Sequence, residues 1–277
     1  MNSSQATLYI AAGIVAGFTN TLAGFGSAIT LPLLLYTGHD IHHANGTNRV
    51  AILLQNMIAA LMFHRDGRLD FASSLPCVTP SVLGGVLGAH LATILDPGVF
   101  RLLVGPLLGL ILVSLLAQPK RWLEGTGRAP ETATPGGSDT SLHSGCLETG
   151  SSPHQRPWLT SLVFFLIGAY GGFVQIGVGL LLLSALVLVA GQDITRANAQ
   201  KVLIILLYTI PALAVFSIRG HVVWKVGFCL AIGNMSGAWL ATRLSIQKGN
   251  LFVRRFLILV VCLCLTREMS SWFQLGS

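Results

Sequence analysis

The sequence has very little charge. Lys, Arg, Asp and Glu make up 10% of its 277 residues, whereas soluble chains carry about 25%. Apolar residues make up 52% and fall in long runs. This excludes a soluble globular domain, and the runs lack the two-residue alternation of barrel strands. The sequence therefore predicts an all-α polytopic membrane protein, with short polar loops between its helices.

Motifs for enzyme chemistry are missing as well. The chain contains no Gly-x-Ser-x-Gly, no His-Glu-x-x-His and no phosphate-binding Walker loop, so we expect no enzyme, and any ATP drive must come from another subunit. No basic cluster is interleaved with aromatic residues, which argues against a nucleic-acid partner. No Lys or Arg precedes Arg49. We therefore expect the first apolar run to stay as structure rather than act as a cleaved signal peptide.

Metal-binding patterns are weak. The five cysteines lack the spacing of a zinc site, and we interpret them as small apolar residues: Cys77, Cys146, Cys229, Cys262 and Cys264. His39, His42 and His43 surround Asp40 and fit a metal site, a proton-sensitive gate or ordinary loop polarity. Ordinary loop polarity is the interpretation we favour, and we expect neither a metal nor a cofactor.

One interrupted stretch organises the first half. Leu8 to Tyr36 is apolar for 29 residues and is broken near its middle by Gly24-Phe25-Gly26. As one helix it would measure about 43 Å against a hydrocarbon core of roughly 30 Å, yet two full crossings need about 40 residues. We expect two shortened helices meeting at a glycine turn, as a re-entrant hairpin or a broken helix. Such backbone is tolerated only in protein or beside a cavity, so the turn is a candidate binding site.

The second half repeats this pattern. Trp158 to Ala190 is also uncharged and contains Gly177-Val178-Gly179 at the corresponding place. The alignment of the halves pairs these positions: Gly13 with Gly168, Gly17 with Gly172, Asn20 with Gln175, Gly24 with Gly177, Gly26 with Gly179, Asp40 with Asp193, Asn45 with Asn198, Phe63 with Phe216, Gly67 with Gly220, Gly84 with Gly237 and Arg101 with Arg254. We expect glycine to end one helix and aspartate to cap the next at Gly38-x-Asp40 and Gly191-x-Asp193.

Each half is then predicted to hold an interrupted helix and three transmembrane helices. The predicted crossings are about 41–63, 73–95 and 98–117 in the first half, and 194–217, 222–244 and 251–265 in the second. The domains are a first repeat over 1–117, a disordered linker over 118–157 and a second repeat over 158–277. The linker is rich in Gly, Ser, Thr and Pro, which is typical of disorder.

Loop charge favours re-entrant hairpins over single crossings. If each interrupted segment returns to its own side, one face carries twelve Lys and Arg and the other five, whereas single crossings give nine and eight. The positive-inside rule then makes the linker cytoplasmic and the two halves oppositely oriented. Inverted repeats with glycine-interrupted segments are typical of secondary transporters, whose site lies where the segments meet.

The candidate site residues fall into three groups. The turn glycines Gly24, Gly26, Gly177 and Gly179 would let backbone approach a solute, or serve helix packing, the role we favour for Gly13, Gly17, Gly168 and Gly172. Asn20 and Gln175 are binding groups or structural amides. At the start of the next helices lie Asn45, Thr47, Asn48 and Arg49, and Asn198, Gln200 and Lys201. Arg49 and Lys201 would attract an oxyanion or reach the membrane interface.

The motifs of the two halves can be compared with those of a known family. The first half contains GIVAGFTNTLAGFGSAITLPLLL and GHDIHHANGTNRVA, and the second contains GAYGGFVQIGVGLLLL and GQDITRANAQKV. These motifs resemble the two repeats of the TauE/SafE sulfite exporter family. The resemblance implies a multi-pass permease of the bacterial inner membrane for sulfite, sulfonates or related anions. Gly24, Gly26, Thr47, Gly177, Gly179 and Lys201 lie at the family's motif positions. Ser27-Ala28 and Leu180-Leu181 replace its later glycines.

We therefore predict a secondary transporter that moves a small, sulfur-containing or organic anion by alternating access. Its expected partners are the anionic solute and the lipid bilayer, and a homodimer is compatible with this function. The alternatives are a membrane subunit of a larger complex, an intramembrane enzyme and a channel. The sequence leaves the anion, the direction and the coupling ion open.

Overall fold

The fold is described here from a computed structural model, which covers residues 2–69, 71–96, 157–188 and 192–275. Within these ranges all regular structure is α-helical. The helices are α1 (Ser3–Ala23), α2 (Ser27–Tyr36), α3 (Ile41–Arg65), α4 (Phe71–Ile94), α5 (Pro157–Phe173), α6 (Val178–Leu188), α7 (Ile194–Ile218) and α8 (Trp224–Leu275, broken at Gly249). The predicted crossing 98–117 and all of the linker except Pro157 lie outside the described residues.

Both predicted helix breaks are present. The first lies between α1 and α2, where Gly24 has φ 78° and its N–H donates to the Asn20 carbonyl at 2.8 Å. The second lies between α5 and α6, where Gly177 has φ 73°. This left-handed backbone favours glycine because other L-residues bring Cβ against the carbonyl there.

The expectation of two shortened arms is wrong for the first one. α1 begins at Ser3, because the Asn2 N–H donates to Gln5 Oε1 at 3.1 Å and thereby starts the helix within the polar N-terminal residues. Its 21 residues suffice to cross a bilayer. Ser74–Ile94 and Ile194–Ile218 are also long and apolar enough to cross. The returning arms α2, with 10 residues, and α6, with 11, are short, and α5, with 17, is also shorter than α1.

The predicted aspartate caps are confirmed. Asp40 Oδ1 accepts the N–H groups of His42 and His43 at 2.9 and 3.0 Å, and Asp193 Oδ2 accepts that of Thr195 at 3.2 Å. Gly38, with φ 93°, follows the end of α2. Hence α3 and α7, which carry most of the candidate polar residues, begin where the sequence places them.

Close contacts at glycines show the directions in which neighbouring helices run. A Cβ on Gly233 would overlap the Ile10 carbonyl, and one on Gly237 would overlap the Ile14 carbonyl, so α1 and α8 run the same way. The same test pairs Gly168 with Ser81 and Gly172 with Gly85. These contacts make α5 parallel to α4 and confirm the packing role of the GxxxG glycines.

Side-chain contacts orient α3. Thr47 bonds the backbone of Val223 and Gln55 bonds Asn234, so α3 and α8 run in the same direction. Arg49 lies over Phe216, and Ile52, further along α3, lines the same small cavity as Ile205, which is earlier in α7. α3 and α7 therefore run in opposite directions.

Large apolar side chains are exposed on the outside of the helices, and the interior holds buried polar side chains within a mainly apolar core. Leu83, Trp158 and Ile232 are more than half exposed. Arg49, Asn198 and Lys201 are fully buried. Four acidic residues lie at helix ends: Asp40, Asp66, Asp96 and Asp193.

Candidate functional site

The two helix breaks touch each other. A Cβ on Gly24 would overlap the backbone of Gly179, and a Cβ on Gly179 would overlap that of Gly24. Beside this contact lies a cavity of about 10 Å³, room for about one water molecule. Its lining comes from both halves and consists of Asn20, Ile52, Gln175, Val178, Gly179, Ile205 and Tyr208. The two turns therefore meet, as the sequence predicts.

Asn20 and Gln175 both line the cavity, but their bonds differ. Asn20 Oδ1 accepts the Gly26 N–H at 3.3 Å, which fixes the start of α2. Gln175 Nε2 donates to Thr209 Oγ1 at 3.2 Å, and its Oε1 is buried without a partner. Gln175 therefore has an unused acceptor near the turn contact, whereas the Asn20 oxygen is already engaged in the fold.

Arg49 caps the broken helix of the other half. Its guanidinium donates to the carbonyls of Gly171, at 3.4 Å, and Gly172, and to Asn45 Oδ1 at 3.5 Å. It also lies 4.6 Å from the centre of the Phe216 ring. These carbonyls belong to the last turn of α5, where no intrahelical donor remains. A cation is favourable at such a C-terminus.

Lys201, in the second half, caps the broken helix of the first half. Its Nζ donates to the carbonyls of Thr21, at 2.8 Å, and Asn20, at 3.5 Å, in the last turn of α1. Lys201 of the second half therefore caps α1, and Arg49 of the first half caps α5. Lys201 and Arg49 are 0% exposed, so the alternative in which they reach the membrane interface is wrong.

The remaining candidates on α3 mainly hold helices together. Asn45 Nδ2 donates to the Phe173 carbonyl at 2.7 Å. Asn48 accepts from Thr30 Oγ1 at 2.6 Å and donates to Ser27 Oγ at 3.1 Å, which ties α3 to the start of α2.

Thr47 lies on another side of α3. Its Oγ1 accepts the Val223 N–H at 2.9 Å, just before α8 begins. Because this oxygen is engaged with the backbone before α8, its placement supports a structural role.

The candidates on α7 are buried but differently bonded. Asn198 is 0% exposed, and neither Oδ1 nor Nδ2 has a hydrogen-bond partner. Gln200 is 3% exposed. Asn198 lies one turn before Lys201, so the two share a helix face.

Some buried polar residues near the site were not among the candidate site residues. Tyr208 is fully buried and lines the cavity, and Thr209 holds Gln175. A buried pair between Asn234 Nδ2 and Gln55 Oε1, at 2.9 Å, joins α8 to α3. The repeat offers a signal for two of them, because its register aligns Tyr208 and Thr209 with the polar pair Gln55 and Asn56.

The histidines form a cluster at the start of α3. The His42 ring stacks on His221 with centroids 5.2 Å apart, and His43 meets His221 edge-on at 5.4 Å. His42 Nδ1 lies 3.0 Å from the Ala92 carbonyl oxygen. Burial, together with the neighbouring histidines, lowers the pKa of His221. No group of three metal ligands occurs among the residues that the structure describes.

Comparison with known proteins gives a consistent result. The family model described as "Sulfite exporter TauE/SafE" matches residues 9–267. A probable membrane transporter protein, ORF9, of Sinorhizobium is 30% identical over 92% of this chain and 88% of its own length. One from Haemophilus influenzae is 26% identical over 95% and 94%, and YfcA of Escherichia coli is 25% identical over 89% and 83%. No solved structure matches the chain.

Proposed function

The chain belongs to the TauE/SafE sulfite exporter family, and from this premise we propose that it is a secondary transporter of a small anion. As a member it is a membrane transporter and not an enzyme. The proposed solute is sulfite, a sulfonate or a related sulfur-containing or organic anion. The proposed location is the bacterial inner membrane, crossed several times.

One observation carries the proposal of an anion. Arg49 and Lys201 are fully buried beside the two touching breaks, and neither forms an ion pair with a described carboxylate. A buried charge without a counter-charge is costly in a membrane protein. Carbonyl dipoles offset part of this cost, and a bound anion would offset the rest.

The breaks supply further positive potential. α2 and α6 begin at the contact between the turns, and the first N–H groups of a helix have no intrahelical acceptor. Helix N-termini favour anions for this reason. Val178 and Gly179, the first two residues of α6, line the cavity. The anion would thus meet positive potential from the turns and from the two charged side chains.

Inverted repeats with re-entrant hairpins account for the helix directions. α1 and α3 both run parallel to α8, so α2 between them must run back toward the side where α1 began. The corresponding helix of the second half, α5, runs with α4. Both relations support two hairpins that enter from opposite faces, the arrangement expected of a secondary transporter.

Alternating access would separate these hairpins. A cavity of about 10 Å³ holds about one water molecule, whereas sulfite has four non-hydrogen atoms. The solute can enter only if the turns move apart. We propose that each hairpin, with its cation cap from the other half, opens the site to its own side of the membrane.

Uptake by the purified full chain in liposomes tests this function. The solutes are sulfite, sulfate, methanesulfonate and lactate, each with and without a pH gradient. We expect saturable uptake of at least one anion, and its loss in Arg49→Ala and Lys201→Ala. Arg196→Ala is the matched control, because it removes an exposed cation from α7. Uptake that does not saturate would indicate a channel instead.

Two results would overturn the proposal. Normal uptake by both charge variants would remove the electrostatic site. Liposomes that contain correctly folded wild-type protein but take up none of the anions would favour the alternative, a subunit that needs a partner. Circular dichroism of each purified variant separates loss of transport from loss of the fold.

A further inference from the structure

The two halves use equivalent asparagines differently. The repeat alignment pairs Asn45 with Asn198, and both are at most 1% exposed. Asn45 donates to the Phe173 carbonyl at 2.7 Å and accepts from Arg49 at 3.5 Å. Asn198 makes neither bond, since both of its polar side-chain atoms are buried without a partner.

A second unpartnered group lies at the same cation. Thr21 Oγ1 is buried without a hydrogen bond, although the carbonyl of the same residue accepts from Lys201 Nζ at 2.8 Å. Asn198 is one turn before Lys201 on α7. Two polar side chains with unused hydrogen bonds therefore accompany Lys201. On the other side both polar atoms of Asn45 are bonded, and the buried group without a partner is Nε of Arg49 itself.

Unused hydrogen bonds at this depth indicate a ligand. Leaving a buried polar group unpaired is unfavourable, and such groups in proteins usually have a partner. Lys201 Nζ has three donors and two carbonyl partners, of which one is 3.5 Å away. Asn198 Nδ2 and Thr21 Oγ1 add further donors. This set matches an oxyanion, which offers several acceptors on a small body.

We propose that Lys201, Asn198 and Thr21 form the seat of the transported anion, and that the seat takes a singly charged oxyanion. The proposal rests on the anion transport proposed above and adds that the seat is on the Lys201 side only. One ammonium balances one negative charge. Asn198 Oδ1, an acceptor, further suits an anion that keeps a hydroxyl proton, such as hydrogensulfite.

The Arg49 side then has a positioning role. Its guanidinium holds the end of α5 and lies over Phe216, and its amide neighbour is already bonded. The positive charge still contributes to the potential around the cavity. Direct contact with the anion, however, comes from α7 and α1.

Thermal unfolding of the purified full-length protein in detergent tests the seat. The probes are hydrogensulfite, methanesulfonate and sulfate, added at constant ionic strength over a chloride background. The variants are Asn198→Leu and Thr21→Val, which keep the shape and remove the polar atoms. Thr19→Val is the control, because Thr19 Oγ1 bonds carbonyls of its own helix, at 2.9 Å to Val15 and 3.1 Å to Ala16.

The expected pattern has two parts. Without anion, Asn198→Leu and Thr21→Val unfold at or above the wild-type temperature, since neither residue loses a protein hydrogen bond. With hydrogensulfite, each variant needs at least about tenfold more anion than wild type for the same stabilisation, the effect of losing one charged hydrogen bond. Thr19→Val responds like wild type, and sulfate stabilises wild type least.

Results that contradict the seat can be told apart from results that contradict the proposed function. If wild type responds to anions and both variants respond equally well, the seat is elsewhere and only this inference fails. If both variants fail to fold, Asn198 and Thr21 have structural partners and the inference fails too. If wild type shows neither stabilisation nor uptake with any anion, the proposed function itself fails.

Discussion

Three glycine variants separate the two reasons for glycine at the touching turns. Gly24 needs glycine because of its φ of 78° and because Gly179 leaves no room for a Cβ. Gly179 is subject only to the second constraint. Gly67 is subject only to the first, since its φ is 70° and a Cβ there would meet no atom within 4 Å. Alanine at each position therefore measures a different combination of the same two effects.

The expected magnitudes follow from these constraints. A Cβ in the left-handed region costs roughly 1–2 kcal/mol, so Gly67→Ala should lower the unfolding free energy by about that amount. Overpacking typically costs roughly 1–3 kcal/mol, the expectation for Gly179→Ala. Gly24→Ala combines both and should lose roughly 2–5 kcal/mol.

Two measurements on each variant check this series. Chemical denaturation in detergent micelles gives the change in unfolding free energy, and liposome uptake gives transport. We expect Gly67→Ala to transport like wild type once folded. Gly24→Ala and Gly179→Ala should transport less, because their turns are forced apart. If these two variants match Gly67→Ala in both measurements, the turns do not touch and the site built on them is wrong.

Three further predictions concern other contacts. Asn48→Leu should lower the unfolding free energy by about 1–3 kcal/mol, because Thr30 Oγ1 loses its nearer acceptor and Ser27 Oγ loses its donor in a buried setting; Thr30→Val in the same background should recover part of the loss. For the buried pair Gln55 and Asn234, a double-mutant cycle with leucine should give a coupling of about 0.5–2 kcal/mol; additive losses would contradict the bond. Burial lowers the pKa of His221, so the unfolded chain binds more protons as the pH falls past about 6.5; wild type should lose stability on acidification from pH 7.5 to 5.5, and His221→Asn should lose less.

Local features of the fold were predictable from the sequence. Gly24 and Gly177 mark the breaks because few other residues adopt their backbone conformation. Asp40 and Asp193 cap the next helices through bonds to N–H groups two or three residues away. These rules act over one helical turn, so one sequence is enough to apply them. The start of α1 was missed because it depends on polar residues, which a search for apolar runs leaves out.

The partners of the site residues were not predictable in the same way. Arg49 bonds carbonyls more than 120 residues away, and Lys201 bonds carbonyls about 180 residues away. Backbone carbonyls are present at every position, so the sequence gives no sign of which ones a cation reaches. Thr47 shows the same limit, because its hydroxyl accepts a backbone N–H just before a helix of the other half. Only the tertiary packing decides these pairs.

The exchange of cations between the halves has a consequence for the life of the chain. Until the second half is inserted, Arg49 and the end of α1 both lack their counterparts in the membrane. The first half made alone should therefore be a substrate for quality-control proteolysis, and co-production of the second half as a separate polypeptide should rescue it. Insertion of the second half would then supply the cation caps of both hairpins in a single step. Neither side of the bilayer would be left with a hairpin that lacks its cap.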